Sequence, residues 1–438
     1  MLQAKHKTGL VFFPAFDWAI SPTHPEREER LLYTQDQVLE EGIFDIPGIM
    51  ELKPDLVEDR DIERAHFCVP DVQSVTTQSH FISAGGAKAV GLAVMTGQVE
   101  RGFALVRPPG HHAGRVVHGA RGFCNINIEA VMIEHLRAMR GVRRVAIVDT
   151  DCHHGDGTQD IYWHDPDTLF ISLHQDGRTL YPGSGFPNEL GGANAIGTTL
   201  NIPLPPQTSE EGILHIIEHV VMPILEAFQP DLIINSAGQD NHFSDPITNM
   251  NFSAKGYADL TALLKPDIAV LEGGYAIEGA LPYVNAGIIL AMAGLSYDRV
   301  REPDYRPESI RQTPDINRWI EQVTALTLEN WENRHGMKER AQSGKEVENR
   351  SRTIFYDTDQ ISETQNESLR ICTECGGTWK IDSATQRNGR ILAVHIPRHA
   401  CSRCTDTGHE WFESADAREF EGAYLQDLTS DRFQFKTP

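Results

Sequence analysis

The chain has 438 residues, with 39 lysines and arginines against 62 aspartates and glutamates, for a formal net charge of −23. Such a surface repels phosphate backbones, so direct nucleic-acid binding is not expected, and it favours cationic substrates such as basic protein tails or polyamines. The 40% hydrophobic content suits a globular chain. No apolar run is long enough to span a membrane, and the N-terminal MLQAKHKTGLVFF lacks a signal-peptide pattern, so no membrane contact and an intracellular, cytoplasmic location are expected.

Residues 1–345 are expected to form one α/β domain. Short runs rich in Val, Ile, Leu and Phe (Leu10–Phe13, Phe103–Val106, Val145–Val148, Leu169–Ser172, Leu232–Asn235, Ile268–Leu271) alternate with helix-like stretches. That pattern predicts a parallel sheet with helices on both faces. The last five runs lead into RPPGHH, DTDCHHGDG, LHQDG, SAGQD and EGGY. The carboxyl ends of parallel strands are where open α/β sheets build their sites. Residues 300–340 read as a charged helix. The polar stretch 346–368 reads as a linker, 369–415 as a Cys-rich module and 416–438 as an acidic tail.

In Asp149-Thr-Asp151-Cys-His153, alternate side chains of an extended segment share a face. Two carboxylates and an imidazole there suit a divalent metal, although an isolated Asp-x-His is more often a solvated turn. A third ligand must come from elsewhere: Asp240 is the natural candidate and Glu272 a weaker one. His111 and His112 follow a rigid Arg-Pro-Pro-Gly turn and suit general base and acid work near neutral pH. Tyr275, after Gly-Gly, is a candidate donor to an oxyanion.

Cys68, Cys124 and Cys152 are scattered, whereas Cys372/Cys375 and Cys401/Cys404 form two CxxC pairs 25 residues apart. Two such knuckles predict a structural zinc site in a ribbon-like module, with a redox-active pair as the alternative. The module is close to neutral, which points to docking of a partner, another copy, a substrate or its own catalytic domain.

The ordered set RPPGHHA, GFCNIN, DTDCHHGDGTQ, ISLHQDGRTLYPGSG, SAGQD and LEGGY, with HPEREERL at 24–31, resembles the histone deacetylase superfamily, especially its class II branch and bacterial relatives. The resemblance covers roughly residues 8–300. It implies an arginase/deacetylase-like fold and zinc-dependent hydrolysis of an N-acyl amide on lysine or a lysine-like amine. Matched residue by residue, it implies zinc on Asp151, His153 and Asp240, with His111 and His112 as base and acid, backed by Asp149 and Asp156. Tyr275 would polarise the carbonyl, and Phe123 and Tyr181 would line the acyl-lysine tunnel. A potassium ion is implied at the Asp149 side chain, the Ser172 hydroxyl and the carbonyls of Asp151, His153 and Leu173.

The chain departs from the pattern at Gln239, which predicts a polar wall near Asp240, with Asn241 and His242 adding polar atoms at the rim. Ile247 falls where polyamine-selective relatives carry a gatekeeper glutamate, which disfavours acetylpolyamines. Other readings are a deacylase of acetylpolyamines or another small acylated metabolite, a catalytically weak metal-binding scaffold, and an arginase-like manganese enzyme. Iron(II) would fit the same ligands as zinc.

Overall fold

A computed structural model describes residues 2–437; Met1 and Pro438, the outer ends of the first and last expected segments, lie outside the described residues. In chain order the strands are β1 (Thr8–Phe13), β2 (Ile49–Leu52), β3 (Phe67–Cys68), β4 (Arg101–Val106), β5 (Val116–Val117), β6 (Val145–Asp149), β7 (Thr168–Gln175) and β8 (Thr199–Leu204). They continue with β9 (Leu232–Ser236), β10 (Ile268–Val270), β11 (Val347–Tyr356), β12 (Ile361–Arg370), β13 (Thr378–Thr385), β14 (Gly389–Ile396), β15 (Gly422–Asp427) and β16 (Arg432–Lys436).

Eight strands form one parallel sheet in the order β2-β1-β4-β10-β9-β6-β7-β8. Its central strands are predominantly apolar and almost wholly buried because both faces are covered. In β6, Val145 and Ile147 enter one core with helices Gln78–Met95 and Ile128–Arg140. Ala146 and Val148 enter the opposite core with helices Ala254–Leu264 and Leu281–Met292. This is the period-two alternation of a strand, read out as two separate cores. The six expected strands are present, and β2 and β8 extend the sheet at its two edges.

The strand order makes β4, β10, β9 and β6 neighbours, with β7 next to β6. The five polar clusters therefore emerge side by side at one edge of the sheet. The charged helix expected at 300–340 spans Pro314–Gln342.

The expected boundaries of the C-terminal region need correction. The stretch read as a linker carries β11 and most of β12, and the stretch read as an acidic tail carries β15 and β16. With β13 and β14 they form one six-stranded sheet, ordered β11-β12-β13-β14-β15-β16. The sheet docks on the catalytic domain. Leu369, Ile371, Trp379, Ile381, Ile391, Ala393 and Tyr424 share one apolar cluster with Phe67, Val69, Val116 and Ala193. Polar pairs flank it: His164 Nε2 is 2.9 Å from Glu367, Arg352 pairs with Asp160, and the Tyr356 hydroxyl donates to the Val116 carbonyl at 3.0 Å. Among the described residues no helix is long and apolar enough to cross a membrane.

Candidate metal centre and active site

Asp151, His153 and Asp240 are all buried, and one ligand atom from each lies within 4.8 Å of the other two. The loops after β6 and β9 bring them together. Backbone amides aim both carboxylates: Cys152 N–H donates to Asp240 Oδ1 at 2.7 Å, and Gly273 N–H donates to Asp151 Oδ2 at 2.7 Å. The remaining oxygens face the His153 ring, with Nδ1 2.7 Å from Asp240 Oδ2 and 3.2 Å from Asp151 Oδ1. Burial, and next the charge of Asp151, push the Asp240 carboxyl above its usual range. Burial also raises Asp151, but His111 and His153 outweigh it and hold that carboxyl low. Two carboxylates crowded against one imidazole in a buried site are a cation's donor set. One nitrogen and two oxygens, with an open side toward a cavity, fit catalytic zinc.

The glycines of the motifs have a steric reason. A side chain at Gly273 would bring Cβ within 2.6 Å of both Asp151 and Asp240, and one at Gly155 would collide with Asp149 Oδ2. The clusters are Gly-rich because backbone passes directly against the carboxylates.

His111 Nδ1–H donates to Asp149 Oδ2 at 3.1 Å, and His112 Nδ1–H donates to Asp156 Oδ1 at 2.8 Å. Each ring thus turns its Nε2 edge away from its carboxylate; His111 Nε2 lies 3.8 Å from Asp151. Burial, followed by the neighbouring His111, pushes His112 down to about 3. Asp149 and Ser172 stand opposite each other on β6 and β7, and the Ser172 hydroxyl lies 2.9 Å from His174 Nδ1. Leu173 is the next residue on that strand and is buried.

A cavity of about 300 Å³ opens onto this centre, lined by His111, His112, His153 and Tyr275 and walled by Phe123 and Tyr181. Phe123 meets Tyr275 edge-on at 5.8 Å, and Tyr181 meets His112 edge-on at 5.2 Å. Ile247 also lines the cavity, so that position is apolar. Burial keeps the Tyr275 hydroxyl protonated by pushing its pKa well above the usual value.

Several expectations change. Glu272 is not part of the metal cluster: its Oε2 accepts from the backbone N–H groups of Gly110 and His111, at 2.7 and 3.1 Å, and so holds the paired-histidine turn. Gln239, Asn241 and His242 do not line the cavity. Gln239 bonds Asn285, Asn241 donates to the Thr150 carbonyl at 2.7 Å, and His242 lies 3.2 Å from Glu302. The polar wall predicted there faces inward to other buried groups.

Sequence reasoning alone did not find the network under the site. Glu26, Arg30 and Arg107 have fully buried side chains. Glu26 joins Arg30 at 2.8 Å and Arg107 at 2.6 Å. Arg30 also donates to the carbonyls of Gly274, at 2.7 Å, and Glu272. This cluster clamps the loop that carries Tyr275 to the strand end that leads to His111. Only the charge density of HPEREERL hinted at it.

The four cysteines also come together, with one sulfur from each within 4.8 Å of the others. Cys372 and Cys375 lie between β12 and β13, while Cys401 caps helix Ser402–Glu413 and Cys404 sits in its first turn. Arg370 Nη1 donates to Cys404 Sγ at 3.0 Å. Among the described residues no disulfide is formed, and four converging thiols fit a tetrahedral metal site.

Parallel sheet and converged loops together define an amidohydrolase of the arginase/deacetylase architecture. Residues 68–288 match the family described as "Histone deacetylase domain", and the chain belongs to the histone deacetylase family. It is 44% identical over 337 residues to a "Probable deacetylase" of Archaeoglobus fulgidus, covering 70% of this chain and 92% of that one. It is 36% identical to a "Histone deacetylase-like amidohydrolase" of Pseudomonas aeruginosa, over 51% of this chain and 60% of the relative. Among solved structures, the crystal structure of the HDA15 HD domain superposes with a TM-score of 0.65 at 27% identity, covering 78% of this chain and 99% of that one. The family match ends before β11, so the C-terminal sheet is an addition to the matched core.

Proposed function

We propose that the chain hydrolyses an N-acyl, principally N-acetyl, amide on a lysine side chain or a lysine-like amine. The observation that carries this reading is the convergence of the Asp151–His153–Asp240 cluster, two carboxylate-backed histidines and Tyr275 on one aromatic-walled cavity. Asp151, His153 and Asp240 would hold zinc, which polarises a carbonyl and makes water more acidic. Potassium is proposed at Asp149, Ser172 and the carbonyls of Asp151, His153 and Leu173, and a second, structural zinc at Cys372, Cys375, Cys401 and Cys404.

The chain's own groups divide the remaining work. Phe123 and Tyr181 flank the apolar stem of the amine, and the charged end of a free amine would be desolvated there, so the acylated form fits better. Tyr275 donates its hydroxyl to the carbonyl oxygen as charge develops on it. Of the two histidines, one takes a proton from the attacking water and the other delivers one to the departing amine. Asp149 and Asp156 fix each ring with Nδ1 protonated, leaving Nε2 for that exchange.

Small acylated amines remain the second reading, because the cavity accepts an apolar stem whether a peptide backbone or a small group lies at its outer end. Metal analysis of purified protein, with rates on an acetyl-lysine peptide and on an N-acetylated diamine side by side, tests both. Zinc near two equivalents and faster peptide turnover are expected. No hydrolysis of either substrate by metal-loaded protein would end the deacylase reading.

A further inference from the structure

Where the added sheet docks on the catalytic domain, the two enclose a small cavity of about 60 Å³ that shares no lining residue with the catalytic one. Arg115, Tyr162 and His164 reach it from the catalytic domain. Trp379 of β13, His395 of β14 and Arg398, just after β14, reach it from the added sheet. The Trp379 ring is common ground: the His164 ring lies 5.0 Å from it and the Arg115 guanidinium 5.8 Å from it.

Buried polar atoms ordinarily find partners. Among the described residues fifteen buried side-chain nitrogens and oxygens have none within the chain, and five of these belong to residues lining this one cavity. They are Arg115 Nε, the Tyr162 hydroxyl, His164 Nδ1, and Nε and Nη2 of Arg398. Arg115, Tyr162 and His164 are only 5%, 2% and 3% exposed, so bulk water does not satisfy them.

The charges around the cavity are unbalanced in the same sense. Four arginines and three carboxylates line it. The carboxylates are already engaged: Arg137 bonds Glu134 at 2.9 Å and Asp165 at 2.7 Å, and Arg143 bonds Asp167 at 3.3 Å. Arg115 donates instead to the Ala65 carbonyl at 3.3 Å, to Gln426 at 3.1 Å and to the Ile161 carbonyl, and among the described residues no acidic side chain forms an ion pair with it. Arg398 donates to the Leu428 carbonyl at 3.4 Å, while its Nη2 stays 3.8 Å from Glu134. A buried guanidinium without a counter-charge is costly, and an anion removes that cost.

We propose that this cavity is an oxyanion site that takes hydrogen phosphate and pins the added sheet to the catalytic domain. Arg115, Arg398 and Tyr162 supply the N–H and O–H donors, with Arg398 contributing from the added sheet and the other two from the catalytic domain. His164 supplies the opposite function. Its Nε2–H donates to Glu367 at 2.9 Å, which leaves Nδ1 as an acceptor. Several donors and one acceptor match an anion that carries one hydroxyl. The Arg398 side chain, 19% exposed, is the part of the wall that reaches solvent, and it swings to admit the ion.

The test uses the full, metal-loaded chain in phosphate-free buffer. Inorganic phosphate should bind by calorimetry with one saturable equivalent and raise the melting temperature as its concentration rises. Sulfate at neutral pH has no hydroxyl for His164 and should bind about tenfold more weakly, the scale of one hydrogen bond to a charged group. Chloride at matched ionic strength should not reproduce the stabilisation. Tyr162→Phe removes a hydroxyl that has no partner within the chain, so without phosphate its melting temperature should not fall. Its Kd for phosphate should nevertheless rise about tenfold, and Arg398→Gln should raise it at least as much. Neither residue lines the catalytic cavity, so phosphate taken up by the catalytic metal would be insensitive to both changes. No phosphate binding, sulfate binding as tight as phosphate, or a Kd unaltered in either variant would overturn the proposal.

Discussion

Asp156 accepts from His112 Nδ1 with one oxygen, at 2.8 Å, and is held by Arg121 on the other, with Arg121 Nε at 3.0 Å. Although burial raises the carboxyl, Arg121 and His112 outweigh it and keep it ionised. The ion pair fixes the carboxylate, and the carboxylate fixes the ring. Asp156→Asn removes the charge while preserving shape and can present its amide N–H to the ring, favouring the wrong tautomer. A kcat loss of about 100-fold or more is expected, with KM within threefold and the metal content unchanged. Steady-state kinetics beside metal analysis checks this; loss of metal would move Asp156 from the proton-transfer apparatus to the binding site.

Tyr275 lines the cavity with its ring 4.9 Å from the Arg30 guanidinium, and its backbone N–H donates to Asp245 at 2.8 Å. Its position therefore does not depend on its hydroxyl. Tyr275→Phe should leave melting temperature and metal content unchanged while kcat falls about 100- to 1,000-fold, the usual loss for one oxyanion donor. Activity near the unaltered rate would take Tyr275 out of the mechanism.

The buried Glu26–Arg30–Arg107 cluster makes a stability prediction. Burial raises the Glu26 carboxyl, but Arg30 and Arg107 outweigh that and hold it ionised. Glu26→Gln leaves two guanidiniums buried without their counter-charge, which costs about 3–5 kcal/mol. Because the three side chains act as one network, adding Arg30→Met should cost less than the sum of the single changes. Chemical denaturation of the two single variants and the double variant measures the coupling, and strict additivity would argue against a shared network.

The Asp151–His153–Asp240 cluster is legible in the sequence because its residues follow apolar strands, beside glycines that the local crowding demands. Edge strands β2 and β8 carry weaker signals: β2 is only four residues with an exposed Glu51, and β8 includes Asn201 and Pro203. The hairpin β11–β12 was hidden for a different reason. Its alternation is clear in burial, yet the inward positions of β12 include Glu363, Gln365 and Glu367. These are satisfied by Tyr356, Ser383 and Arg352 of the same sheet and by His164 across the docking face. A period of two written in polar residues leaves no hydropathy pattern, so composition reads as a linker.

The cysteine cluster predicts a metal stoichiometry. Cys375→Ser removes one thiolate from a four-sulfur set. The variant should retain one equivalent of metal, at the catalytic centre, and lose the other, with a lower melting temperature because metal binding contributes to folding. Unaltered two-equivalent content would place the second ion elsewhere.

The last prediction concerns acid. His66 Nδ1–H donates to the Gly114 carbonyl at 2.7 Å while its Nε2 accepts from Asn127 N–H at 2.9 Å. His80 is the mirror case: Nδ1 accepts from Thr77 N–H at 3.1 Å and Nε2–H donates to Asn125 at 3.0 Å. Each ring has one nitrogen committed as an acceptor, so neither can protonate without breaking a bond. Burial accordingly lowers His66 from 6.5 to about 3 and His80 from 6.5 to about 4. The unfolded chain, with ordinary histidines, binds more protons below pH 6.5 than the folded chain does. Stability therefore rises with pH across this window: it is fully present above 6.5 and is lost as pH falls toward 4 and then 3. Each ring contributes a slope of up to about 1.4 kcal/mol per pH unit. Denaturation midpoints should fall steadily from pH 7 to pH 5, and the fall should be shallower in a His66→Gln, His80→Gln double variant, whose side chains cannot titrate. An identical pH slope in that variant would show that other groups carry the acid sensitivity.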